Sequence, residues 1–245
     1  MNALDKNYDF GCLSKNDFQL PHNRPSFLKM SSFFDEDYFS NGRKSGKSLY
    51  ENYRWLPALS KPLAQALEDF VGFNEGAKLI DYGCARGYLV RALVERGFDC
   101  FGIDVSEYAI KHADTKIRNR LTLGAGDSIE NAVNNFNVNS FDYMLAKDVF
   151  EHIHPTTLTK LLRHAHRHVQ KMYVLVPLGD NGVYRINEYE KDKSHVVAEN
   201  EDWWANLFES NGFRVRKFEH KINGLKDYAY GLHKEGNGHF ILDRV

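Results

Sequence analysis

The spacing of apolar residues along the chain alternates between two periods, and each period predicts one kind of secondary structure. Apolar positions three and four residues apart predict helices at 57–72, 88–96, 107–113, 156–169 and 201–210. Short apolar runs predict strands at 77–81, 100–104, 121–125, 141–147, 172–177, 213–218 and 239–242. Gly72 and Gly97 follow the first two helices and Pro155 begins the fourth, so the expected helix ends agree with the periodicity.

The order of these elements predicts the fold class. Strands that alternate with helices are typical of an α/β protein with a doubly wound, mostly parallel sheet. Only a loop-rich stretch separates the last two strands, so we expect them to pair antiparallel at the sheet edge. Residues 1–56 show no regular pattern and are interpreted as an N-terminal extension of a single domain, residues 57–245.

Length and composition exclude several functional classes. The 245 residues suffice for one large domain. The 32 Lys and Arg residues balance 33 Asp and Glu residues, so at a net charge of −1 no global field attracts the chain to nucleic acid or an anionic membrane. Three cysteines are too few for a disulfide framework. The apolar pattern contains neither a signal peptide nor a membrane span, and we expect a cytoplasmic protein.

A glycine-rich turn joins the first strand to the second helix, with the sequence Asp81-Tyr-Gly83-Cys-Ala-Arg-Gly87. Glycines let a ligand approach the backbone closely, and the N-terminus of the following helix offers free N–H groups. Asp104 ends the next strand, where a carboxylate accepts hydrogen bonds from the two hydroxyls of a ribose. This arrangement suits either NAD or an adenosyl cofactor.

Two details of the turn favour the adenosyl cofactor. The glycine spacing does not fit the G-x-G-x-x-G pattern of dinucleotide-binding loops. Asp81 precedes the first glycine, and its carboxylate would repel a pyrophosphate but can orient an ammonium group or the loop itself. A cofactor with an amino-acid tail and no phosphate therefore fits better.

With these motifs the sequence resembles the class I S-adenosylmethionine-dependent methyltransferases over residues 57–220. The resemblance is carried by the Asp81–Gly87 turn, Asp104, the tripeptide Gly126-Asp127-Ser128 and the segment 141–148. It implies a Rossmann-like seven-stranded sheet with an antiparallel last strand and S-adenosylmethionine as cofactor. It also implies that the glycine loop holds the methionine portion, Asp104 the ribose, and Asp127 with Ser128 the adenine edge.

Related enzymes use an N-terminal segment as a lid, and residues 1–56 are the candidate here. Aromatic rings at Tyr50, Tyr53 and Trp55 suit a sulfonium through cation–π attraction, and Arg54 suits its carboxylate, although ordinary packing explains the rings equally well. The predicted cofactor-binding residues are Arg54, Asp81, Gly83, Cys84, Gly87, Asp104, Val105, Asp127, Ser128 and Lys147.

The acceptor side is predicted from the segment Asp148-Val-Phe-Glu151-His152. In a helical turn these three polar side chains share one face. The spacing is similar to the Glu-x-x-Glu-His metal motif of ubiquinone-pathway O-methyltransferases and small-RNA 2′-O-methyltransferases, with a shorter Asp148 and with His195 as the downstream histidine. Asp148, Glu151, His152 and His195 are thus candidate ligands for Mg²⁺ or Mn²⁺. Alternatively, His152 and His195 assist the acceptor directly, or His152 only packs beneath it.

Residues 178–200 form a polar insertion after the fifth strand that is too long for a simple connection. This segment resembles methyltransferases of polysaccharide and glycan biosynthesis. The leading hypothesis is O-methylation of a hydroxyl on a small polar acceptor, such as a sugar or glycan precursor. N-methylation, RNA 2′-O-methylation and a non-catalytic cofactor-binding scaffold are the alternatives. The balanced charge counts against nucleic acid, while the oligomeric state stays open.

Overall fold

The computed structural model describes residues 30–245 and contains a seven-stranded sheet. The strands are Lys78–Tyr82 (β1), Asp99–Asp104 (β2), Leu121–Leu123 (β3), Phe141–Lys147 (β4), Val169–Pro177 (β5), Gly179–Asp180 (β6), Val183–Tyr184 (β7), Phe213–Glu219 (β8) and Asn237–Arg244 (β9). The sheet order is β3-β2-β1-β4-β5-β9-β8, with β6 and β7 paired separately as a small hairpin. Strands β1 to β5 are parallel, and β9 is antiparallel to both of its neighbours. The predicted fold class is confirmed.

Ten helices of the described chain flank or extend the sheet. They are Met30–Phe33 (α1), Glu36–Ser40 (α2), Gly42–Ser45 (α3), Pro57–Val71 (α4), Tyr88–Val94 (α5), Glu107–Lys111 (α6), Glu130–Asn135 (α7), Pro155–His168 (α8), Glu201–Glu209 (α9) and Asp227–Leu232 (α10). Short 3₁₀ turns cover Arg118–Arg120, Phe150–His152 and Asn187–Lys191. Gly72 ends α4 in a left-handed conformation, and Pro155 begins α8, as the sequence predicts.

Alternating side chains of the strands build a core on each face of the sheet. Leu79 of β1 and Leu145 of β4 pack with helices α4 and α5, whereas Ile80 and Met144 pack with α8 and α9. Trp204 of α9 is fully buried in the second core. The two cores hold the sheet rigidly between helix layers, so the strand ends are fixed points for the site.

The order in which successive strands are added to the sheet reverses between β1 and β4, which are parallel neighbours. From β1 the chain proceeds outward through β2 and β3, and it then returns to the other side of β1 with β4. In open α/β sheets the crevice outside the carboxyl ends of the strands at such a switch point receives the ligand.

The N-terminal extension contributes a small aromatic cluster beside this crevice. Tyr38 and Phe39 of α2 are buried, and the cluster includes Ala109 of α6. Residues 1–29 of the predicted extension lie outside the described residues, and its boundary at residue 56 stays a prediction, as does the insertion at 178–200. Among residues 30–245, none of the helices combines the length and apolar character that a membrane crossing requires.

Candidate active site

A cavity of about 760 Å³, its open mouth included, lies at the carboxyl ends of β1, β2 and β4. This volume falls within the usual range of small-molecule sites. Its walls come from the glycine turn, the end of β2, the segment after β4 and the N-terminal aromatics: Phe34, Tyr38, Phe39, Tyr50, Tyr82, Gly83, Ala85, Ile103, Asp104, Val105, Gly124, Gly126, Asp148, Val149, His152 and Ile153. Predicted cofactor residues and predicted acceptor residues thus share one cavity.

The glycine turn is held in shape by its backbone. The N–H groups of Gly83 and Cys84 donate to the carbonyl oxygen of Ile103 at 2.8 and 3.1 Å, which ties the turn to β2. Gly83 has a φ of +78°, and a Cβ there would overlap the methyl groups of Val149. Gly87 has a φ of +77°, and its Cβ would lie 2.5 Å from Cδ1 of Ile117. Both positions therefore require glycine, because neighbouring side chains fill the space that a Cβ would need. Gly83 lines the cavity, whereas Gly87, a predicted cofactor-binding residue, does not.

Asp104 connects the turn to the next helix. Its Oδ2 accepts a hydrogen bond of 2.7 Å from the N–H of Ala85, and its Oδ1 accepts one of 2.8 Å from the N–H of Ser106. Burial raises the pKa of Asp104, and these N–H groups oppose the rise. A carboxylate offers about four acceptor positions, so two remain for the hydroxyls of a ribose.

Asp81 and Cys84 lie behind the cavity wall. Burial raises the pKa of Asp81 to about 7; the ammonium of Lys147 acts against this rise and the carboxylate of Asp104 adds to it. The Cys84 thiol is buried against Gly102, and burial raises its pKa well above the usual value. A thiol in this state is a small packing group and a poor nucleophile.

The predicted adenine contacts lie next to the cavity. Gly124 and Gly126 line it, together with Val105 after β2. Ser128 is buried, and its Oγ accepts a hydrogen bond of 3.0 Å from the N–H of Glu130 in the first turn of α7. Asp127 is half-buried between these residues and is not part of the cavity wall.

Asp148 belongs to a lysine cluster. Its Oδ2 lies 2.5 Å from Nζ of Lys147, and its Oδ1 forms an ion pair with Nζ of Lys226. Burial raises the pKa of Asp148, but the two ammonium groups outweigh this effect and hold it well below its usual value. Lys226, which precedes α10, was not found by sequence reasoning because its segment carries no hydrophobic pattern. Lys147 therefore forms an ion pair with Asp148 beside the cavity.

Glu151, His152 and His195 form a separate group, whose candidate ligand atoms lie within 4.8 Å of one another. Burial raises the pKa of Glu151 well above its usual value, and burial together with His152 lowers the pKa of His195 to about 3. Asp148 is not in this group. Its φ of +56° places it outside the 3₁₀ turn at 150–152, so the helical-face argument that joined it to Glu151 and His152 is wrong.

A chain of polar contacts runs from His152 into the insertion. Nδ1 of His152 lies 2.8 Å from Oγ of Ser194, and that Oγ donates a hydrogen bond of 2.5 Å to Oδ1 of Asp192. The Tyr38 hydroxyl donates to Oδ2 of Asp192 at 3.1 Å. The density of hydrogen-bonding side chains marked this insertion in the sequence, but it did not single out Asp192 or Ser194.

The N-terminal segment covers the cavity in a different way from that expected. Phe34, Tyr38, Phe39 and Tyr50 line it, whereas Arg54 is exposed and donates to the carbonyl oxygen of Asn52 at 3.3 Å. The arrangement therefore gives Arg54 no place in the cavity wall. Instead, Arg86 of the glycine turn points to this segment and donates to the carbonyl oxygen of Tyr53 at 2.8 Å and to the Tyr108 hydroxyl at 2.9 Å.

Comparison with known proteins agrees with this geometry. A family model of the methyltransferase domain matches residues 54–217. A methyltransferase structure from Archaeoglobus fulgidus, dependent on S-adenosylmethionine, has a TM-score of 0.57 and 18% identity, covering 76% of this chain and 94% of its own. Magnesium protoporphyrin IX methyltransferase from Synechocystis, with bound S-adenosylhomocysteine, has a TM-score of 0.59 and 13% identity, covering 90% and 100%.

A third similar structure is that of the cyclase SpnF, with a TM-score of 0.59 and 12% identity, covering 92% of this chain and 98% of its own. No curated protein matches the sequence. At identities this low, structural similarity shows the fold alone, and a cyclase on the same fold illustrates why the reaction has to be argued from the site.

Proposed function

We propose that this chain, which belongs to the methyltransferase domain family and is an S-adenosylmethionine-dependent class I methyltransferase, transfers the methyl group to a hydroxyl of a small polar acceptor. The acceptor oxygen attacks the methyl carbon, the carbon–sulfur bond breaks, and S-adenosylhomocysteine leaves with the electron pair. The hydroxyl proton must pass to a base as the new O–CH₃ bond forms. We assign that role to His152.

One observation carries this assignment: His152 lines the same cavity as Asp104 and the glycine turn. Burial lowers the pKa of His152, so the imidazole is neutral near pH 7 and can accept a proton. The ring centroids of Phe34 and His152 are 5.8 Å apart, so an aromatic side chain forms the cavity wall beside the proposed base. Such a wall suits a sulfonium cation, because the faces of aromatic rings attract positive charge.

The experiment is a product screen with labelled S-adenosylmethionine against nucleotide sugars, glycans, small amines and RNA. We expect methylation of a hydroxyl in the first two classes. His152→Ala should lower turnover by roughly 10²-fold or more while cofactor affinity stays unchanged. His168→Ala is the matched control, because His168 lies at the far end of α8. Full activity of folded His152→Ala contradicts the assignment, and methylation of an amine or of RNA contradicts the proposed acceptor class.

A specific observation favours a second candidate role for His152 in place of proton acceptance, namely ligation of a divalent cation together with Glu151 and His195. One buried carboxylate oxygen of Glu151 has no hydrogen-bond partner among the described residues. With Asp148 outside the group, two imidazoles and one carboxylate remain, a set that suits Mn²⁺ better than Mg²⁺. A bound cation would act as a Lewis acid that favours the ionised form of the acceptor hydroxyl.

Metal content decides this second point independently of activity. The protein is stripped with EDTA, dialysed against Mn²⁺ or Mg²⁺, and assayed by calorimetry and elemental analysis. We expect one Mn²⁺ per chain in the wild type and none in Glu151→Gln. Asp148→Asn, which alters the neighbouring lysine cluster instead, should retain the metal. Absence of binding in the wild type, with activity indifferent to EDTA, contradicts the cation site.

A further inference from the structure

Ser194 is the central member of the polar chain behind His152. It is 1% exposed, and its Oγ lies between Nδ1 of His152 at 2.8 Å and Oδ1 of Asp192 at 2.5 Å. The Ser194 N–H also donates to Oδ1 of Asp192, at 3.0 Å. Backbone and side chain of Ser194 are therefore both anchored to one carboxylate.

The direction of these hydrogen bonds follows from counting protons. A serine hydroxyl has one hydrogen, and a carboxylate can only accept. The single hydrogen of Ser194 is donated to Asp192, so Oγ can only accept from His152. Nδ1 of His152 then carries the proton, and the lone pair of the neutral ring resides on Nε2.

We propose that Asp192 and Ser194 are positioning residues that hold His152 in the tautomer protonated at Nδ1, with Nε2 free to accept. This inference deepens the role proposed for His152 and rests on it for its catalytic consequence. The same tautomer is needed whether Nε2 accepts a proton or ligates a cation, since a ligating imidazole donates its other N–H.

The second oxygen of Asp192 extends the arrangement to the N-terminal segment. Oδ2 accepts from the Tyr38 hydroxyl at 3.1 Å, and Tyr38 is buried in the cavity wall. Asp192 is thus fixed from both sides, by the insertion and by α2. A carboxylate with both oxygens engaged holds the Ser194 hydroxyl in one orientation, which fixes the imidazole in turn.

The tautomer is tested directly by two-bond ¹H–¹⁵N NMR of protein labelled at histidine, with the His152 signals identified by their loss in His152→Ala. We expect the wild type to show a protonated Nδ1 and a bare Nε2. In Ser194→Ala and Asp192→Asn this preference should be lost, and kcat should fall by roughly 10²-fold with KM nearly unchanged. Ser210→Ala, at the exposed end of α9, is the matched control.

The wild-type spectrum needs no variant and is decisive by itself. A proton on Nε2 with a bare Nδ1 overturns the inference, whatever the activity. An unchanged tautomer and unchanged kcat in both folded variants overturn the positioning role. If the spectrum is as expected but His152→Ala is fully active, the base role fails while the tautomer assignment stands.

Discussion

Removal of the Asp104 carboxylate tests the cofactor half of the cavity. In the structure its two oxygens each accept one backbone N–H, from Ala85 and Ser106, and each keeps one further acceptor position. We expect a ribose diol to occupy those positions. Asp104→Ala removes both functions at once: the contact to the cofactor and the link between the glycine turn and α6.

The magnitude follows from the charge of the acceptor. Hydrogen bonds to a charged group contribute about 1.5–3 kcal/mol, so the loss of the ribose contact should raise the Kd of S-adenosylmethionine by roughly 10- to 150-fold. The stranded N–H groups of Ala85 and Ser106 cost about 1–3 kcal/mol each if they stay buried. A lower Tm should therefore accompany the weaker binding.

Isothermal calorimetry on Asp104→Ala separates these two effects when combined with a modified ligand. S-adenosylhomocysteine and its 2′-deoxy analogue are titrated into wild type and variant, below the variant's Tm. We expect the missing hydroxyl to weaken binding to the wild type and to have little effect on the variant. Asp99→Ala, at the opposite end of β2 and paired with Arg120, is the matched control. Equal losses in both proteins would refute the ribose contact.

Two further predictions concern the glycine turn. Because burial raises the pKa of Asp81 to about 7 and the cationic cofactor favours its ionised form, calorimetric affinity for S-adenosylmethionine should rise with pH up to about 7 and level off above it. Asp81→Asn should abolish this rise. A variant whose pH profile of affinity equals that of the wild type would contradict the assignment of the rise to Asp81. Gly83→Ala should lower the free energy of unfolding by about 1–3 kcal/mol, because the new Cβ would meet Val149. Gly231→Ala in α10 is the control, since the space around Gly231 is open. Equal Tm values for the two variants would contradict the steric argument.

The sequence predicts those parts of the site that are fixed by the ends of regular elements. Asp104 and the glycine turn lie where a strand ends, and parallel strands end at one edge of the sheet. Their proximity in the cavity is therefore deducible from the element order alone. The same holds for His152, which closely follows β4.

Contacts between segments distant in the chain are not deducible in this way. Asp148 pairs with Lys226, which comes from a stretch whose pattern indicates only a loop. Arg54 is exposed and lies outside the cavity wall, where the sequence predicts a cofactor contact, because the direction of a long side chain depends on neighbours that no local pattern specifies. Helix α10 was missed for a related reason: six residues are too few for a clear period.

The two halves of the cavity have different origins in the chain. Its cofactor half is built on β1, β2 and β4, inside the region that matches the family model. Its other wall comes from residues 34–50, which precede that region. This wall is connected to the insertion by the contact between Tyr38 and Asp192, and by the N–H of Lys193, which donates to the carbonyl oxygen of Lys47 at 3.3 Å.

This division explains why family membership shows the reaction class without the acceptor. The segments that meet at His152 are the N-terminal segment and the insertion, and the contacts between them place Tyr38, Asp192 and Ser194 around the imidazole. A chain that began at residue 54 would keep the strands of the sheet and Asp104. It would lack four residues of the cavity wall, Phe34, Tyr38, Phe39 and Tyr50. We therefore expect acceptor selection to require the longer chain, because the wall that faces His152 combines residues of both segments.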